Sequence, residues 1–237
     1  MANYTLARTI NWAQPYIQYS PLTAGVGSEP AISIASMIQT MIMSAPFSWS
    51  WNRAEDSSFT LTKNNQDATL AIANFGFLEK ASLTDANGKI WEIKDVYNTD
   101  ALAKSTTLAR PQAISVFKEI PGTSVTFRLS AVPDASYILN IVYQKDSALF
   151  TTINDSWIIP DSMIHIYNNL FLGETLAIVE DPRSQIYRQR GVAMLLSVAE
   201  GLDAENKALF MQQYLNAGNV AGALALKTQQ GAQGRTI

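Results

Sequence analysis

One stretch, residues 125–143, reading VTFRLSAVPDASYILNIVY, constrains the fold more than any other. Val125, Phe127 and Leu129 alternate with Thr126, Arg128 and Ser130, and Tyr137, Leu139, Ile141 and Tyr143 resume the alternation downstream. A period of two places alternate side chains on opposite faces of a strand. Between the two runs, Pro133 fixes φ and Asp134 can bond its own backbone. The stretch therefore reads as two strands joined by a proline turn. The chain before it is β-rich or an arm, and the chain after it turns helical.

Upstream, prolines and glycines at Pro15, Pro21, Gly25, Gly27 and Pro30 make residues 1–28 an N-terminal arm, with room for a short helix over Ala7–Gln14. Ala31–Met43 is the first clear helix, its buried stripe Ile34, Met37, Ile38, Met41 and Ile42. Trp49 and Trp51 then alternate with Ser48 and Ser50, which predicts two indoles on one strand face, packed as core. Six or seven short strands follow, with a hairpin at Asn87-Gly88, where positive φ is easily adopted.

Downstream, Pro160-Asp161 opens a helix with stripe Met163, Ile164, Tyr167, Leu170 and Phe171, in which Gly173 marks a close backbone approach. Asp181-Pro182 reads as N-cap and first turn of a second helix closed by Gly201, and Asp203 caps a third. After Ala217 little remains to bury. The expected fold class is α+β. One N-terminal helix plus two to three C-terminal helices form a helical bundle (29–46 and 157–216). A small antiparallel β-sandwich or barrel (47–144) is inserted in it, followed by a linker (145–156) and a tail (217–237).

Chemistry is hard to place on this chain. It has no cysteine and one histidine, His165, so a zinc site of the usual kind has no ligand set, and no metal or cofactor is expected. No phosphate-binding glycine loop, nucleophile elbow or zinc-protease motif occurs, so no catalytic residue is assigned. The acidic pairs Glu55-Asp56 and Glu180-Asp181 read as a solvated turn and a helix cap, leaving a glycosidase only scattered carboxylates. Arg183, Arg188 and Arg190 cluster beside acids, as an intersubunit or solvated ion-pair face. A role facing DNA is the weaker reading of that cluster.

Charge is sparse. Charged residues make up 16% of the chain against 47% hydrophobic, with a net charge of -3, which speaks against a protein built to grip nucleic acid. A surface so poor in charge is expected to be hidden largely in partners. No run is long and apolar enough to cross a membrane, and the first residues lack the apolar core of a secretory signal.

The order of parts resembles the head-to-tail adaptors of tailed bacteriophages, the tail tubular protein A or gatekeeper type of neck protein. The residues that carry the resemblance are Trp49, Trp51 and Arg53; Leu129, Pro133, Asp134, Tyr137, Leu139, Ile141 and Tyr143; Trp157, Pro160 and Ile164; and Asp181, Pro182, Arg183 and Tyr187. The resemblance implies a structural virion protein at the head–tail interface, assembled in the host cytoplasm and without enzymatic activity. Its partners would be its own copies in a ring, commonly twelve, the portal protein above and a tail or nozzle protein below, with genomic DNA passing without sequence readout. Ala217, Val220, Leu224, Leu226 and Arg235 in the tail are the expected portal contacts. The rival reading is a glycan-binding or minor tail protein using Trp49, Trp51 and Trp91 as a stacking platform.

Overall fold

The alternating segments become seven strands: β1 (Arg53–Leu61), β2 (Asp67–Leu70), β3 (Phe75–Thr84), β4 (Ile90–Asp95), β5 (Ala113–Ile120), β6 (Ser124–Leu129) and β7 (Tyr137–Lys145). This computed structural model describes residues 4–17, 29–95 and 103–217. The chain divides into two compact units, Ser48–Asp146 and the segments before and after it.

In the Ser48–Asp146 unit the strands join in one sheet, in the order β1-β7-β3-β4-β5-β6-β2, curled into a nearly closed, barrel-like form. Its pairings are antiparallel except β4 with β5, which run parallel through Lys94↔Ala113 and Asp95↔Ile114. This corrects the expected fold class: the β part is a seven-stranded mixed, nearly closed sheet, not a small antiparallel sandwich or barrel inserted in a helical bundle. The physical reason is that periodicity reports which face of a strand is buried but not which strand lies beside it. The long crossing before β5 returns the chain parallel to β4, a connection that alternation does not encode.

The stretch 125–143 is corrected in the same way. Val125, Phe127 and Leu129 on β6 and Tyr137, Leu139, Ile141 and Tyr143 on β7 are all buried, as their alternation predicts. The two strands are not a hairpin: β6 pairs with β5 and β2, while β7 pairs with β1 and β3. Val132 in the connection is held instead by the crossing segment, its N–H donating to Thr107 and its carbonyl accepting from Ala109. Both strands thus feed one core, where Phe127 meets Phe75 edge-on at 5.6 Å.

Among the described residues the other unit has five α-helices: α1 (Leu6–Ala13), α2 (Glu29–Met43), α3 (Ile164–Ile178), α4 (Ser184–Val198) and α5 (Ala204–Ala217). The expected arm is partly core. Leu6, Ile10 and Ala13 of α1 are buried, and the backbone N–H groups of Leu6 and Ala7 donate to Asp155 and Ile153. On α2, Ile34, Ile38, Met41 and Ile42 are buried as the spacing predicts. α3 is apolar nearly all round and is the central helix, with α1, α2 and α4 packed against it.

Two glycines set the α3–α4 spacing. A Cβ on Gly173 would lie 2.8 Å from the Arg188 backbone nitrogen, and one on Gly191 would lie 2.7 Å from the Leu170 side chain. The helices therefore cross closer than alanine would permit. α4 starts at Ser184, later than Asp181-Pro182 suggests, because Pro182 and Arg183 complete a turn in which Ser184 N–H donates to the Asp181 carbonyl. Asp203 does cap α5, its carboxylate accepting the Asn206 N–H at 2.7 Å. No helix among the described residues is long and apolar enough to cross a membrane.

Candidate functional site

The close packing of α3 and α4 at Gly173 adjoins a buried ion pair. Glu174 on α3 receives two bonds from Arg188 on α4, from Nε at 3.0 Å and from the terminal nitrogen at 2.6 Å. The Tyr214 hydroxyl on α5 donates to the same carboxylate at 2.7 Å. All three side chains are buried. Burial and the adjacent Glu174 charge push the Tyr214 phenol far above its ordinary range, so it stays a donor. Phe210, one turn earlier, meets Phe47 edge-on at 5.0 Å. The cluster ties α3, α4 and α5 together.

The arginines expected to form one charged face are therefore not brought together. Arg188 points inward to Glu174, whereas Arg183 and Arg190 are exposed. Arg183 grips Asp181 at 2.7 Å and also donates to the Tyr16 carbonyl. Those hydrogen bonds and the guanidinium charge hold the Asp181 carboxyl below the usual range. Pro182 is exposed beside them. Sequence spacing missed the cluster because Glu174 lies a helix away from Arg188; the one available signal was Gly173 beside it.

At the start of β1, Arg53 donates to both oxygens of Glu79, the shorter bond being 2.6 Å. The Gln144 carboxamide donates to the second oxygen and to the Trp49 carbonyl. Burial raises the Glu79 carboxyl, but hydrogen bonds from Arg53, Ser48 and Gln144 and the charge of Arg53 outweigh it and hold it below its ordinary value. Trp49 and Trp51 lie in the turn before β1 rather than alternating along a strand, with rings stacked at 5.9 Å. Trp49 is buried. Trp91, on β4, has the Lys89 ammonium and the Arg110 guanidinium over its ring, 3.8 and 3.6 Å from the centroid. The three indoles make no common exposed shelf for a sugar.

The remaining markers are packing residues. The Tyr137 hydroxyl donates to Asp134 at 2.8 Å, Pro133 accepts the Asn64 N–H, and Tyr143 packs on Phe75 at 5.6 Å. Trp157 is wedged between Phe150 and Tyr167, with its indole N–H donated to Thr9 at 2.9 Å. The Pro160 carbonyl accepts the Met163 N–H in the turn that leads into α3. His165 is exposed, as is Glu55, while Asp56 is turned back onto Ser58. Among the described residues no group of His, Cys, Asp and Glu could hold a metal ion.

Of the tail, Ala217 ends α5, and Val220, Leu224, Leu226 and Arg235 lie outside the described residues. What the sequence did not indicate is how much apolar surface the helical unit leaves open. Ile158, Ile178, Ile186 and Val198 are 47, 54, 63 and 47% exposed, and Leu149 is 62% exposed. Comparison of the chain with protein-family models and with curated proteins finds no match.

Proposed function

We propose that the chain is a structural subunit of a phage head-to-tail adaptor, a ring of its own copies seated between portal and tail. The observation that carries the reading is the open apolar surface of the helical unit at Leu149, Ile158, Ile178, Ile186 and Val198. Large apolar side chains at such exposure are stabilised by burial against another chain, each by about 1 kcal/mol when the remaining exposed half is covered. Sparse charge on the whole chain points the same way. In this reading the resemblance around Trp157, Pro160, Asp181 and Pro182 points to neighbouring copies, portal and a tail protein as the partners.

Each copy in such a ring presents different patches to its two neighbours, a heterologous contact that closes on rotation. Light scattering behind size-exclusion chromatography tests this at rising concentration. The expected result is growth from monomer to one closed species, lost in Ile186→Asp. A monomer at every concentration, with or without portal, overturns it.

A further inference from the structure

We propose that the cleft beside the β4–β5 junction is a phosphate-binding site built on Arg110, Lys94 and Ser130. The cleft encloses about 690 Å³ where the two parallel strands meet, and these three residues and Gln112 line it.

Arg110 is the centre of the site. Its guanidinium lies flat over Trp91 at 3.6 Å, and among the described residues no hydrogen bond or ion pair engages its nitrogens. Stacking fixes the plane of the fork while leaving its N–H edge open, the geometry that suits a tetrahedral oxyanion bound through two oxygens. Ser130 adds a donor by elimination. Its Oγ accepts the N–H groups of Gln112 and Ala113, both at 3.0 Å, which occupies its lone pairs. The hydroxyl proton is left to donate. Lys94, held at the junction by its backbone N–H to the Gln112 carbonyl, brings the second cation of the cleft.

The anions nearby do not cancel this set. Asp85 is committed to the N–H groups of Asn87 and Lys89 and to the Trp91 indole, Asp134 accepts the Tyr137 hydroxyl, and Glu92 is the one carboxylate on the cleft wall, facing both Lys94 and Arg110. The donor-rich cleft selects a compact phosphate. Free phosphate and a nucleic-acid phosphodiester share that chemistry. The site stands on the β unit alone and does not depend on ring assembly.

Calorimetric titration of the full chain at low salt, with inorganic phosphate in one arm and a short double-stranded DNA in the other, tests the site. Saturable binding in either arm, weakened about tenfold or more by Arg110→Gln and less by Arg110→Lys, is expected. Binding in the phosphate arm alone assigns soluble phosphate, and binding in the DNA arm assigns the phosphodiester. A thermal-unfolding midpoint for each variant separates a lost site from a lost fold. Lys94→Gln is the second variant, used if Arg110→Gln unfolds. No binding in either arm, or binding that a folded Arg110→Gln leaves unchanged, overturns the proposal.

Discussion

The Tyr214 hydroxyl on α5 donates a 2.7 Å hydrogen bond to the Glu174 carboxylate on α3, the same carboxylate that Arg188 on α4 holds through two nitrogens. Because Arg188 already compensates the charge, Tyr214 is an added contact rather than a condition for burying Glu174. Tyr214→Phe keeps the ring and removes one bond to a charged acceptor, so it is expected to lower stability by about 1.5–3 kcal/mol. The urea midpoint should fall with little change in the slope.

Removing Arg188 is a harsher change. Arg188→Ala leaves Glu174 buried without its counter-charge, a loss of about 3–5 kcal/mol. The double variant Glu174→Gln with Arg188→Met removes both charges and should recover much of that loss. Equilibrium unfolding of the single and double variants checks the difference; a double variant no better than the single one contradicts the buried-pair account.

Gly173 and Gly191 give a steric prediction. Alanine at Gly173 brings a methyl to 2.8 Å from the Arg188 backbone, which a side-chain rotation cannot relieve. Gly173→Ala is expected to cost about 1–3 kcal/mol through separation of α3 and α4. An exposed-helix glycine would show the opposite sign, since alanine is the better helix former. Thermal unfolding distinguishes the two.

Among the carboxyls held below their ordinary values, Asp155 gives the best-defined acid-sensitive window. Asp155 accepts the N–H and hydroxyl groups of both Thr151 and Thr152, and these bonds, backbone first, lower its pKa from 3.8 to about 2. A pKa depressed in the folded state contributes stability above the unfolded value and loses it as pH falls. The window therefore runs from about pH 4 down to about pH 2. Stability measured against pH should fall through that window in the wild type and be flatter there in Asp155→Asn.

What was legible in the sequence was burial; what was not was partnership. Alternation marked Phe127, Leu139 and Ile141 as core, the 3.6 period marked Ile34, Ile38 and Met41, and Asn87-Gly88 marked the β3–β4 turn, where Gly88 has φ +78°. The pairing of β4 with β5 and the separation of β6 from β7 escaped, because a strand's pattern is the same beside any neighbour. Arg188 was misplaced on the surface for a related reason. Only the crossing of α3 and α4 at Gly173 turns it toward Glu174. The phosphate cleft was equally hidden, since Trp91, Lys94, Arg110 and Ser130 are spread over β4, the crossing segment and the chain after β6.

The most direct test of the adaptor reading is negative-stain electron microscopy of the purified chain, alone and mixed with portal-bearing particles. The account predicts rings of uniform diameter that cap the portal vertex and disappear when Ile186 and Val198 are both replaced by aspartate. Monomers only, with portal vertices left bare, would contradict it.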